Sequence, residues 1–157
     1  MTLYIPIGPP GSGKSTLFRH GPSGRRVCPD EFRLIITDNQ ADQTENNLVF
    51  EICHKITRKR CERGLHTYFD ATNLTMEALR PLKEMPGDKI VYIWEPNPYI
   101  YSLRNKNREM VVPDVVMGRM LRRHASTWER KERLTEWAKK LFAVHANGNQ
   151  TEIWPDP

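Results

Sequence analysis

The sequence predicts an α/β fold: a mainly parallel sheet of about five strands with helices on both faces. Two observations predict it. Short apolar runs alternate with helical periodicities along the chain, the pattern of consecutive strand–helix units. A glycine-rich turn, GPPGSGKST over residues 8 to 16, joins the first run directly to the first helical segment. No repeat, low-complexity tract or long linker divides the 157 residues, so one domain over 1–157 is expected.

The elements follow in order. Leu3–Ile7 is a short, mostly apolar strand that runs into the glycine-rich turn. Ser15–His20 starts a helix, and Gly21-Pro22-Ser23-Gly24 breaks it. Arg25–Cys28 reads as a second strand, and Pro29–Thr37 as a short helix beginning at that strand's end. Over 42–63, Leu48, Ile52 and Ile56 recur every four residues with Val49 and Cys53 beside them, which predicts a helix. Lys55, Arg58, Lys59, Arg60 and Arg63 crowd its C-terminal end, where cations complement the helix dipole or gather a phosphate. Gly64 is placed to end it. His66–Phe69 is a third strand that runs into Asp70-Ala71-Thr72-Asn73. Thr75 is placed to cap a helix carrying Ala78, Leu79 and Leu82. Lys89–Trp94 is the clearest strand, and 97–108 is helical. Pro113 fits the first turn of another helix, with Val116, Met120 and Leu121 on one face. Residues 135–144 read as a last helix and Gln150–Trp154 as a last strand, ended by Pro155.

Composition narrows the class. Apolar residues make up 38% and charged residues 27%, ordinary for a soluble protein. No apolar run approaches bilayer-spanning length, and the N-terminus MTLYIPIG lacks the basic and apolar regions of a signal peptide. A cytoplasmic location (host cytoplasm for a phage-encoded protein) and no membrane partner are expected. Cys28, Cys53 and Cys61 form no CxxC, and with His54 and His66 they match no common zinc spacing. A reducing compartment fits them. Net charge is +5, and nine Lys/Arg against four Asp/Glu between Tyr101 and Arg133 account for it. Such a block suits a polyanionic partner such as ATP or nucleic acid, or forms a solvated helical face.

The glycine-rich turn carries the most specific chemistry. Gly8-x4-Gly13-Lys14-Ser15 satisfies the phosphate-loop spacing, with a strand before it and a helix after it. Glycines at Gly8, Gly11 and Gly13 let several backbone N–H groups point inward as an anion nest at a helix N-terminus. Gly11, Ser12, Gly13, Lys14, Ser15 and Thr16 are the candidate nucleotide-binding residues. Lys14 supplies a full charge to the terminal phosphates, Ser15 a hydroxyl ligand for Mg²⁺, and Thr16 a contact to the α-phosphate.

In open α/β sheets the functional residues gather beyond the carboxyl ends of the strands. Asp30 follows the second strand there and Asp70 ends the third. Asp30 is a candidate base for an attacking hydroxyl. Arg33, three residues on, holds a substrate phosphate or orients Asp30. The structural alternative is a helix-capping aspartate with a nearby surface arginine. Asp70 resembles an acid that reaches Mg²⁺, or it shapes its loop through Thr72 and Asn73. Arg104 and Arg108, one helical turn apart, fit a lid that covers the phosphates and stabilises charge during transfer, or are solvated surface charges.

GPPGSGKST, Asp30-x-x-Arg33, Asp70-Ala71-Thr72-Asn73 and Arg104-Asn105-x-x-Arg108 before Val112-Pro113 occur in this order over nearly the whole chain. Together they resemble the kinase domain of polynucleotide 5′-hydroxyl kinases, nucleic-acid repair enzymes of phages and bacteria. The resemblance implies a P-loop NTPase three-layer α/β sandwich with a helical lid. It implies phosphorylation of a 5′-OH end of RNA or DNA, with ATP or another NTP and Mg²⁺ as cofactors. Asp30 would be the general base, and Arg33 would contact the acceptor's 3′-phosphate. Lys14 and Ser15 would serve the NTP and Mg²⁺, and Arg108 with Arg104 would be the lid arginines. Some relatives carry Asp-Thr-Asn where this chain has Asp70-Ala71-Thr72-Asn73. One place along an extended segment turns an acid to the other face, which leaves the role of Asp70 open. No residues remain for a fused phosphatase or ligase, so a stand-alone kinase without an obligate protein partner is expected. Two other readings compete. One is a P-loop kinase of a small hydroxylated metabolite or sugar nucleotide. The other is a nucleotide-binding switch without transfer chemistry.

Overall fold

The computed structural model describes residues 1–20 and 24–155. Its strands are β1 (Thr2–Ile7), β2 (Arg25–Val27), β3 (Thr67–Phe69), β4 (Asp88–Trp94), β5 (Lys140–Val144) and β6 (Gln150–Trp154). They form one sheet in the order β2-β3-β1-β4-β5-β6. All neighbours are parallel except β5 and β6, which are antiparallel. The helices are α1 (Lys14–His20), α2 (Pro29–Thr37), α3 (Asn46–Glu62), α4 (Met76–Lys83), α5 (Pro98–Lys106) and α6 (Asp114–Glu129). The α/β expectation holds, and β1 sits inside the sheet with partners on both sides.

Alternation along β1 builds two cores. Leu3, Ile5 and Ile7 point to one face, where they meet Phe69, Val49 and Cys53 of α3, and Leu79 and Leu82 of α4. Tyr4 points to the other, where Tyr68, Trp94, Leu17 and Phe18 of α1, Tyr101 of α5 and Met117 of α6 gather. This is why the strand reads as a nearly continuous apolar run. Truncating a fully buried side chain such as Leu3 or Ile5 to alanine costs about 2–5 kcal/mol. Helix α6 links the two faces. Met117 packs in the second core, Trp128 against the first, and Thr127 Oγ1 donates to the Leu74 carbonyl at 2.7 Å.

The structure corrects four expectations. Residues 135–144 do not form a helix, and this adds a sixth strand among the described residues to the five that the sequence offers. Lys131–Leu134 is a short 3₁₀ turn, and Lys140–Val144 is a strand paired with Ile90–Trp94. Leu134, Ala138 and Leu141 are all buried, at spacings that imitate a helix. They reach the core by a turn and then a strand, so sheet pairing overrides the local pattern. Helix α3 begins at Asn46 rather than Asp42, because the Asp42 carboxylate accepts from Thr44 N (2.8 Å) and holds a turn there. Helix α5 ends at Lys106, so Arg108 lies past its end rather than on its face. Pro113 precedes α6 rather than sitting in its first turn. The helix break expected at Gly21-Pro22-Ser23 lies outside the described residues. Cys28, Cys53 and Cys61 are free and buried.

Candidate active site

The turn after β1 is shaped by its backbone. Gly11 has φ +80° and Gly13 φ +104°, conformations that a side chain strains. A Cβ on Gly11 would also stand 2.7 Å from the Tyr101 carbonyl, so α5 lies directly against the loop. Gly8 N donates to Thr72 O at 3.1 Å, which ties the loop to the segment after β3. Asn73 secures that segment: it has φ 50°, and its Nδ2 donates to Pro6 O at 2.8 Å. Lys14 Nζ donates to the carbonyls of Gly8 and Pro9, both at 2.8 Å, and approaches Ser12 Oγ at 3.4 Å. Burial pulls its pKa down to about 8, against the opposing charge of Asp70; Arg108 adds to the depression and Asp30 resists it. Lys14 therefore feels three charges that the sequence alone separates widely.

Asp70 ends β3 and is 8% exposed. Burial raises its pKa, and Arg26 and Lys14 oppose that shift. Arg26 Nε, from β2, lies 2.8 Å from Asp70 Oδ2. The Nε–H lies off the line to that oxygen, so the contact is chiefly an ion pair. The same guanidinium donates to Cys28 Sγ at 3.0 Å and lies 3.6 Å from Glu31. Sequence reasoning missed Arg26. Its only signal was a basic residue one place before a strand's carboxyl end.

Asp30 sits in the first turn of α2, behind Cys28 at the N-cap and Pro29 at the first helical position. It is exposed and ion-paired with Arg33. Arg33 is 7% exposed, donates to Asn46 Oδ1 of α3 at 2.8 Å, and lies 5.9 Å over the Phe50 ring. A capping aspartate with a surface arginine is thus not what the fold builds. The Arg33 guanidinium is enclosed by protein groups, with Asp30 among them.

Arg104 lies on α5 and is exposed. Its guanidinium approaches Gly11 O at 3.5 Å and donates to Ala146 O, in the β5–β6 turn, at 2.9 Å. That turn is pinned by His145, whose ring contacts Glu95 Oε2 at 2.9 Å and Thr151 Oγ1 at 3.0 Å. Arg108 is exposed beyond α5, with its charge felt at Lys14. Ser15 and Asp70 line one cleft of about 220 Å³ together with Phe18, Arg19 and Arg26. Ser12 is buried, and Thr16 is exposed on the first turn of α1. The loop of Gly11 to Thr16, Asp30, Asp70 and Arg108 thus gather at the carboxyl edge of the sheet, where ligands of open α/β folds bind.

The chain belongs to the AAA domain family, whose model matches residues 3–127, into the last turn of α6 and short of β5 and β6. No curated protein matches it. Solved structures share its fold. A chain of the Pnkp1/Rnl/Hen1 RNA repair complex aligns over 82% of this chain with 20% identity and a TM-score of 0.64. This chain spans 45% of that one's length. The PezAT toxin–antitoxin system of Streptococcus pneumoniae aligns over 96% of this chain and 69% of its own, with 14% identity and a TM-score of 0.67. Shikimate kinase from Acinetobacter baumannii, in complex with shikimate, aligns over 91% of this chain and 82% of its own, with 19% identity and a TM-score of 0.52. The fold is that of P-loop NTPases. No described helix is long and apolar enough to cross a membrane.

Proposed function

We propose that this chain is an NTP- and Mg²⁺-dependent kinase that moves the γ-phosphate of ATP or another NTP to the 5′-hydroxyl end of RNA or DNA. One observation carries the reading: an exposed carboxylate, Asp30, is held by a buried arginine at the same edge as the phosphate loop, with its charge felt at Lys14. A switch that only binds nucleotide has no use for an acid held there. The order of the four motifs along the chain supports a polynucleotide end as acceptor, and the basic excess of residues 101–133 agrees with it.

In this reading the backbone N–H groups of Gly11 to Thr16 and the Lys14 ammonium bind the donor's phosphates. Asp30 accepts the proton of the 5′-hydroxyl as its oxygen attacks the γ-phosphorus; the bond to the β-phosphate oxygen breaks and a nucleoside diphosphate leaves. Arg33 fixes the Asp30 carboxylate. Arg108, with Arg104, meets the charge that builds on the γ-phosphoryl oxygens. Ser15 and Asp70 share one cleft and offer oxygen ligands alone, which suits a hard cation such as Mg²⁺. A cation held by these two residues would supply positive charge against the phosphates.

The test is transfer from γ-labelled ATP to 5′-OH oligonucleotides, RNA and DNA, beside sugars and shikimate. Label on the 5′ end of an oligonucleotide, absent from the small acceptors, is the expected result. Label on a sugar or on shikimate alone would replace this reading with that of a metabolite kinase.

A further inference from the structure

We propose that the cleft between α1 and the ends of β2 and β3 binds a phosphate carried by the acceptor, and that Arg26 and Arg19 hold it. The inference rests on the acceptor reading above and names the residues that would recognise its anionic part.

Arg33 is the arginine that the motif spacing offers for such a task, but both of its terminal nitrogens are engaged and its one spare donor, Nε, is buried. It is enclosed by Asp30, Asn46 and the Phe50 ring and is 7% exposed. A phosphate there would have to displace Asp30 from the contact that fixes it. The neighbouring cleft has what Arg33 lacks. Its volume is about 220 Å³, where one water needs only about 10–15 Å³. Its walls carry two arginines, Arg19 from α1 and Arg26 from β2. Arg19 is exposed and makes no ion pair among the described residues.

Arg26 is poorly served by its present partners. Nη2 donates to a thiol, a weak acceptor. Its distance to Glu31 is 3.6 Å, beyond a good hydrogen bond. Nε lies close to Asp70 but is not aligned on it. The side chain is 38% exposed, so the guanidinium is reachable. A planar fork with unspent donors gains most from a phosphate, which accepts two parallel hydrogen bonds. Asp70 and Glu31 oppose an anion here and match Arg19 and Arg26 in number; what favours a phosphate is the donors that Arg26 leaves unspent. Asp30 does not line the cleft, but its charge is felt at Asp70, which does. A hydroxyl at Asp30 and a phosphate at Arg26 therefore suit one acceptor molecule carrying both groups. A nucleotide unit and a sugar phosphate share that chemistry.

The experiment uses the full chain with saturating ADP and measures binding of adenosine 3′-phosphate, adenosine, glucose 6-phosphate and shikimate by calorimetry. Wild type, Arg19→Ala, Arg26→Ala and the double variant are compared, with thermal melting as the folding control. Arg19 is exposed, so its variant reports even if Arg26→Ala melts early. Adenosine 3′-phosphate should bind at least tenfold more tightly than adenosine, and each single variant should shrink that ratio several-fold. In Arg19→Ala, KM for a 3′-phosphorylated acceptor should rise with kcat nearly unchanged. A ratio near one in wild type, or a ratio untouched in Arg19→Ala and in a folded double variant, overturns the proposal. Arginine-dependent binding of glucose 6-phosphate alone would keep the cleft's role and remove the nucleic-acid reading. Transfer to 5′-OH ends indifferent to both arginines would do the reverse.

Discussion

The two halves of the site are built differently. Around the phosphate loop the contacts run to the main chain: Lys14 to Gly8 and Pro9, Arg104 to Gly11 and Ala146, Gly8 N to Thr72 O. On the acidic side they run between side chains: Asp30 to Arg33, Arg33 to Asn46, Arg26 to Asp70 and Glu31. Main-chain geometry is set once the glycines are in place and tolerates little change. Side-chain pairs can exchange partners when a substrate arrives. In the proposed function the loop half holds the triphosphate, and the acidic half meets and activates the acceptor.

Substitutions can sharpen or break this contrast. The largest effect outside the base itself is expected for Arg108→Ala. Loss of one preorganised donor lowers turnover by ~10²–10³, while nucleotide affinity measured by titration changes far less. Equal losses in both would make Arg108 a ground-state ligand. Arg33→Ala is expected to lower kcat by up to ~10², the order found when a reacting group is displaced by about 1 Å. Acceptor KM should stay close to wild type; a rise in KM alone would return Arg33 to substrate binding. Gly11→Ala forces a Cβ against the Tyr101 carbonyl at a positive φ. Strain of this kind costs ~1–3 kcal/mol, seen as a lower melting temperature together with weaker nucleotide binding. An unchanged protein would mean that α5 does not fix the loop.

The smallest effect is with pH. Lys14 free in the site has its pKa pulled down to about 8, and phosphates favour its charged form. Nucleotide affinity is then full below that value and falls as pH rises through it, by at most about tenfold per unit for one proton. Affinity flat from pH 7 to 9.5 would separate Lys14 from the phosphates.

The same contrast explains what the sequence revealed. A loop that needs Gly11 and Gly13 at positive φ and Lys14 beside them leaves an imprint at fixed spacing, so this half was legible. The strand–helix alternation was legible too, because β1 and β4 are buried runs of ordinary length. Strand β5 was not. Its Leu141 falls at a helical interval from Leu134 and Ala138, and pairing with β4 and β6 decides its conformation. The acidic half was legible in residues but not in contacts. Asp30 and Asp70 were found from their places at strand ends. The burial of Arg33 depends on Asn46 and Phe50, more than a dozen residues away, and the pairing of Arg26 with Asp70 depends on β2 lying beside β3. No local spacing encodes either.

The acid after β2 is the point on which the functional account turns. The direct measurement is single-turnover transfer from ATP to a 5′-OH oligonucleotide by Asp30→Asn, with nucleotide binding measured in the same preparation. Loss of a general base lowers the rate by ~10²–10⁴, and the account predicts that loss with nucleotide affinity within a few-fold of wild type. Transfer at the wild-type rate by a variant that still binds nucleotide would contradict it.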